Sequence, residues 1–187
     1  MMIFRIVGIF AVAMLMSACA SQPEFSAQPA KPLVLEQTLV GRVLGEGTLT
    51  NSVTGGETKF SVVINGSWDG KVLTLVEDFT YSDGAKDSKT WHLTKVSNGR
   101  YQGTREDVIG TADVRQDGQG VRLDYYVTLE TSIGKLEVRF RDLLYLQDDG
   151  SVANKATVSK FGLRIGRVDI VMRRDAGESP LSVGSGR

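Results

Sequence analysis

The chain has 187 residues, enough for one domain with a core of ordinary size, and its 24% charged and 41% hydrophobic residues form a globular composition. Lysine plus arginine and aspartate plus glutamate balance at 22 each, so no basic excess exists to hold a nucleic-acid backbone. A single cysteine and a single histidine exclude an internal disulfide and a zinc site of the usual His/Cys type.

Arg5 precedes an apolar run from Ile6 to Met16, and Ser17-Ala18-Cys19 follows. One positive side chain, an apolar stretch and small residues before a cleavage point have the layout of a signal peptide, 1–18. The run is shorter than the roughly 20 residues that a membrane-spanning helix needs. Ending at Cys19, it resembles the lipobox of bacterial lipoproteins, with Met16 where Leu is more usual. That resemblance implies cleavage before Cys19, a diacylglyceryl thioether on it, and palmitate or a similar acyl chain on the new terminus. Such an anchor holds a chain to a membrane without a spanning helix. Ordinary cleavage near Ala20 is the alternative, and it would leave an unpaired cysteine at a mature terminus. Ala20 stands where inner-membrane lipoproteins tend to carry Asp, so the resemblance favours the outer membrane, periplasmic face, over the inner.

Residues 19–33 then read as the lipidated cysteine and a flexible tether, with Pro23, Pro29 and Pro32 among small polar residues. Residues 175–187 have the same character and read as a disordered tail. The stretch between, 34–174, has no proline, which suits continuous hydrogen-bonded strands.

Within it the hydrophobic period is two. Phe60, Val62 and Ile64 alternate with Lys59, Ser61 and Asn65, and Leu73, Leu75, Phe79 and Tyr81 share a face. Val121 to Leu129 and Leu136 to Leu146 alternate in the same way. Asn65-Gly66, Asp69-Gly70, Asp83-Gly84, Asn98-Gly99, Asp117-Gly118 and Asp149-Gly150 are expected to supply hairpin turns. Gly45-Glu46-Gly47 is expected to bend its strand. Together these predict an all-β fold, an antiparallel up-and-down barrel of about 8–10 strands with a calycin-like outline. A β-sandwich is the alternative.

The informative residues are polar ones on the face predicted to point inward. Glu77 lies between Leu75 and Phe79, Asp142 lies between Phe140 and Leu144, and Asn154 and Lys160 share a face with Val152, Ala156 and Val158. Arg105 and Asp107 share a face with Tyr101, although nearby glycines loosen that register. Buried charges are costly unless paired, so these residues form either an ion-pair network or a polar floor that meets a ligand. On the ligand reading, Arg105 or Lys160 meets an anionic head group. Tyr81, Trp91, Tyr125 and Phe140 line the apolar part. His92, between Trp91 and Leu93, is expected to face solvent. No nucleophile elbow or phosphate loop is present, and no residue is assigned a catalytic or metal-binding role.

Several segments together resemble the bacterial lipoproteins of domain of unknown function 3833. They are Phe60 to Trp68, Glu77 to Gly84, Trp91-His92-Leu93, Tyr101-Gln102-Gly103, Asp107 to Gly110, Phe140-Arg141-Asp142, Asn154-Lys155-Ala156 and Lys160-Phe161-Gly162. The chain departs from them at Leu143, where Trp is common, and across Asp113 to Gly120, which lacks a Gly-Asn pair. The resemblance implies an envelope lipoprotein, without an assigned activity, cofactor or protein partner, whose relatives accompany fatty-acyl-modifying enzymes. Three readings follow. The first is a lipid-anchored barrel that binds a small hydrophobic or fatty-acyl ligand. The second is a structural or interaction lipoprotein with a filled barrel. The third is an enzyme built on Glu77, Asp107 or Asp142, which requires a strongly raised carboxyl pKa beside an open pocket.

Overall fold

A computed structural model describes residues 21–131, 134–175 and 177; the segment read as a signal peptide, Cys19 and most of the tail lie outside the described residues. A four-residue helix, α1 (Leu35–Thr38), precedes ten strands. These are β1 (Gly41–Asn51), β2 (Glu57–Trp68), β3 (Val72–Tyr81), β4 (Lys86–Ser97) and β5 (Arg100–Thr104), then β6 (Ala112–Asp117), β7 (Gly120–Thr131), β8 (Gly134–Leu146), β9 (Val152–Lys160) and β10 (Leu163–Arg174). Every strand pairs antiparallel with the next, and β1 closes on β10 in register from Val43↔Arg174 to Asn51↔Gly166. The result is a closed up-and-down barrel, as the alternation and the spacing of the turns predict.

Five of the six Asx-Gly pairs lie at turns, but Asn65-Gly66 does not: it sits within β2, paired with β1 and β3. The glycine is needed there for space. A Cβ on Gly66 would stand 1.8 Å from the carbonyl oxygen of Leu39, so only glycine lets the chain after α1 cross so close to β2. The Gly45-Glu46-Gly47 stretch likewise does not bend its strand, because the β1 ladders run through it without a break. Gly47 instead makes room for the Phe60 ring, 2.4 Å from where its Cβ would be.

α1 closes the barrel end formed by the starts of the odd strands and the ends of the even ones. It is too short to show a helical period in sequence. Leu33, Leu35 and Leu39 are fully buried against the core around Val43, Ile64, Leu73, Leu93 and Met172. Glu36 latches the plug, accepting hydrogen bonds from the Lys95 Nζ at 2.5 Å and from the Tyr101 hydroxyl. The Arg174 guanidinium donates to the carbonyls of Gln37, Thr38 and Val40 at 3.2, 3.3 and 2.7 Å, filling acceptors that the helix end leaves open.

The segment before α1, read from sequence as a loose spacer, lies against the outer wall from Pro23 onward. The Pro23 carbonyl accepts from Arg122 at 2.8 Å, the Ser26 amide donates to the Tyr145 hydroxyl at 3.2 Å, and the Leu33 amide donates to the Gln119 carbonyl. Phe25 meets Tyr145 edge-on, with ring centroids 5.2 Å apart, over Leu143 and Ala153. Leu143 and Tyr145 point outward by alternation yet are buried, because this strap covers them.

Gly66→Ala is expected to push the plug off the barrel end and to lower stability by about 1–3 kcal/mol, the usual scale for forced overpacking. Urea unfolding measures it, and a variant as stable as the parent would show that α1 is not a fixed plug.

Candidate functional site

Ten strands enclose more room than their inward side chains fill. The barrel holds a cavity of about 460 Å³, within the ordinary range for small-ligand pockets. The interior is therefore not filled, which counts against the second sequence-based reading. Leu35 and Leu39 floor the cavity, and Val62, Leu75, Leu123, Leu144, Val158 and Ile170 are among its apolar walls. Phe60, Phe79 and Tyr81 form an aromatic cluster toward the opposite end, with centroids 5.7 to 6.4 Å apart. That end is the mouth, and apolar side chains stand exposed around it: Val53, Leu163 and Phe161, the last 92% exposed. Phe161 also holds a positive φ of 52°, a backbone state that costs energy for any residue but glycine. A second hollow, about 770 Å³, lies on the outer wall, where charges such as Glu46, Lys59 and Asp169 stand beside Tyr145 and Val171.

The polar group sits on one wall of the inner cavity. β5 and β6 are short, so the wall between β4 and β7 is completed by the connection 105–111. Its backbone bonds to β7, through Ile109 N to Tyr126 O and Thr128 N to Asp107 O. The Glu106 carboxylate takes the Thr90 amide of β4 at 2.9 Å. This segment carries Arg105 and Asp107 inward, side by side. Arg105 Nε donates to Asp107 Oδ1 at 2.7 Å and Nη2 donates to Oδ2 at 3.3 Å, while Nη1 lies 3.9 Å from Glu77 Oε2. The guanidinium centre also lies 4.7 Å from the Trp91 ring centroid and 5.6 Å from that of Tyr125. Tyr125 in turn stacks on Phe140 at 5.5 Å. Its hydroxyl donates to Asp142 Oδ2 at 3.1 Å. Asp142 Oδ1 has no donor in hydrogen-bond geometry, although the Asn154 amide lies near enough to favour its charge, and the Asn154 side-chain oxygen is also without a donor.

The electrostatics follow from one cation facing three acids. Burial pushes the Glu77 carboxyl up to about 7, with Arg105 opposing and Asp142 and Asp107 adding to the rise. Burial also pushes Asp142 up to about 7, against the Tyr125 hydrogen bond and the Arg105 charge. Burial raises the Tyr125 phenol, and the neighbouring Asp142 adds to it. Burial works against the Arg105 charge too, but Tyr125, Asp107 and Glu77 outweigh it and hold the guanidinium protonated.

Of the residues singled out from sequence, Glu77, Tyr81, Trp91, Arg105, Asp107, Tyr125, Asp142 and Asn154 all line this cavity. Lys160 does not. It lies at the β9–β10 hairpin, where its Nζ donates to the Glu137 carbonyl at 3.3 Å and rests 4.8 Å from the Phe161 ring. Strand parity is right for Lys160, but the strand ends before the side chain reaches the interior. Arg105, the other cation expected to meet an anionic head group, is already engaged by Asp107. His92 faces solvent and contacts Thr74. Asp87 and Lys89, which pair at 3.1 Å near the mouth, also line the cavity and were missed. The register Glu77↔Lys89 could have revealed them, because directly opposed residues share a face.

An antiparallel barrel closed at one end around an aromatic, acid-lined cavity defines a class of small β-barrels able to enclose one compact ligand. The chain belongs to the family described as Protein of unknown function (DUF3833), whose model matches residues 13–174. No curated protein matches it in sequence. Among solved structures it is similar to the S-type phycobiliprotein lyase CPES from Guillardia theta, with a TM-score of 0.57 and 9% identity over 77% of this chain and 92% of that one. At that identity the likeness is one of fold.

The raised carboxyls give a pH signature. Between the ordinary carboxylate range and about 7 the folded chain binds more protons at Glu77 and Asp142 than the unfolded chain does. Their contribution is therefore fully present at acidic pH and is lost as pH rises through about 7. Asp142→Asn and Glu77→Gln are expected to flatten this fall, each by on the order of 2–3 kcal/mol at pH above 7. Thermal unfolding followed across that range reads it; slopes equal to the parent's would contradict the assignment.

Proposed function

We propose that the protein is a lipid-anchored binding protein of the cell envelope that holds one small, largely apolar ligand, such as a fatty-acyl group, inside its barrel. The cavity of about 460 Å³ carries this reading, because a barrel serving only as a scaffold gains packing energy by filling its interior. The plugged end and the apolar mouth support one route of access. The shared fold with a phycobiliprotein lyase is compatible with a small-molecule role.

The anchor is Cys19, on the outer membrane and facing the periplasm. Pro23 follows four positions later, a leash of at most about 14 Å at full extension. Pro23 is tied to Arg122 near the plugged end, whereas strands of about a dozen residues run roughly 30 Å or more to the mouth. A lipid on Cys19 therefore keeps the plugged end toward the bilayer and turns the mouth toward the aqueous side. The ligand arrives from that side and not straight from the anchoring leaflet.

Two measurements test this. Organic extraction of the full chain purified from its own membranes, followed by mass spectrometry, should yield a stoichiometric small molecule. Ala156→Phe, which fills the cavity beside Asp142, should reduce that yield about tenfold or more. A clean extract from the parent chain that also binds no apolar probe would end the ligand reading. Separately, Cys19→Ser should move the domain from the membrane to the soluble fraction after cell lysis, and a variant that stays on the membrane with residues 1–18 removed would overturn the anchor.

One observation favours an enzyme as a second reading: Glu77 and Asp142, held at about 7 beside the cavity, are poised for proton transfer. It predicts chemical turnover of the extracted ligand that Asp142→Asn abolishes, where a binding protein returns the ligand unchanged.

A further inference from the structure

We propose that the polar end of the ligand is a protonated amine or comparable N–H donor, such as an amidine, seated between Asp142 and Glu77, and not a carboxylate or other anion. The inference rests on the ligand-binding reading above and narrows it to a class of molecule.

The argument begins with what is already used. Arg105 is the cation closest to the polar wall, and Asp107 takes two of its nitrogens while Glu77 lies against a third. The aromatic rings of Trp91 and Tyr125 lie against its guanidinium centre. An anion placed here would find a guanidinium already engaged and would face three carboxyl groups. Lys89 offers little relief, because it is paired with Asp87 toward the mouth.

What is left over has the opposite character. Asp142 is 6% exposed and points into the cavity. One of its oxygens accepts from Tyr125, and the other has no donor in hydrogen-bond geometry, the Asn154 amide nearby easing its charge without completing a bond. The Asn154 side-chain oxygen beside it is also without a donor. Glu77, 14% exposed, has its nearest cation at 3.9 Å, beyond hydrogen-bond length. The wall thus offers acceptors and negative charge on a nearly buried surface, and acceptors of this kind are ordinarily matched with donors, from a ligand or from water. A protonated amine supplies three N–H donors and one positive charge, and the apolar walls take its hydrocarbon part.

Proton linkage gives the inference a sign. The groups that face Asp142 and Glu77 are Arg105, Glu106 and Asp107 from the 105–111 connection, and Asp87 and Lys89 from β4. Tyr81 from β3, Asp124 and Tyr125 from β7, and Asn154 from β9 complete the surroundings. Arg105 is held protonated by its neighbours, so the change between mildly acidic and mildly alkaline pH lies in the two raised carboxyls. A cationic ligand binds their ionised forms and is favoured as pH rises through about 7. An anionic or acceptor ligand binds their protonated forms and is favoured as pH falls.

The experiment uses the full chain carrying Trp68→Phe, so that Trp91 is its one tryptophan, in lipid nanodiscs with empty nanodiscs as the blank, and follows fluorescence as octylamine, octanoate or octanol is added. Octylamine should bind about tenfold or more tightly than octanoate at about pH 8, and should weaken about tenfold on going to about pH 6. Glu77→Gln and Asp142→Asn should each weaken octylamine by a similar factor and flatten its pH dependence, with circular dichroism showing that each barrel has folded. Tighter binding of octanoate, or octylamine binding indifferent to pH and to both variants, overturns the inference and leaves the ligand reading standing. Silence from all three probes removes the ligand reading and this inference with it.

Discussion

Everything about the site depends on β1 closing onto β10. A meander of ten antiparallel strands left open would expose two unpaired edges, and the ladder between these two strands removes both. Closure also fixes the circumference, and with it an interior wider than the available side chains can fill. The cavity is thus a consequence of strand number and not of any one residue. What the sequence then adjusts is how each end is finished. One end receives α1, pinned by Glu36, Arg174 and the close pass of Leu39 over Gly66. The other keeps a rim of partly exposed apolar and aromatic side chains.

The polar wall arises from a local defect in the same closure. β5 and β6 are about half the length of their neighbours, so above them β4 and β7 have no intervening strand pair. The 105–111 connection fills that gap by bonding its backbone to β7 and lending Glu106 to an amide of β4. An irregular segment can turn two charged side chains inward in close succession, with a turn between Arg105 and Val108 completing the reversal. Arg105 would be untenable there alone. Asp107, Glu77 and the aromatic faces make it tolerable, and they leave the wall with more acid than base.

Much of this was legible before any coordinates. Period-two alternation placed Glu77, Tyr81, Trp91, Tyr125, Asp142 and Asn154 on the interior, because in a strand side-chain direction is set by parity alone. The errors occurred where parity stops being sufficient. Lys160 has the right parity but lies at a strand end. Gly66 reads as a turn because Asx-Gly pairs usually are, yet what requires it is the backbone of Leu39, 27 residues earlier in the chain. Leu143 and Tyr145 have outward parity and are buried all the same, under a proline-containing strap whose composition reads as a spacer. Arg105 and Asp107 were placed on one face through a register that glycines left loose, and it is the connection, not a strand, that holds them there.

The acids Glu77 and Asp142 are the clearest conflict between local chemistry and a stable barrel. Apolar residues of similar volume at both positions would spare two desolvated carboxyls and would also pack more densely. A network kept only to set strand register would be expected to close on itself, with every acceptor matched. Here Asp142 keeps one oxygen without a donor, and Glu77 stands just out of hydrogen-bond reach of Arg105. Such incompletely satisfied sites are where folds carry function at the expense of stability. The structural ion pair is Arg105–Asp107, which would persist in an empty barrel. On the proposed reading, Glu77 and Asp142 are the members of the cluster whose hydrogen bonding a ligand would complete.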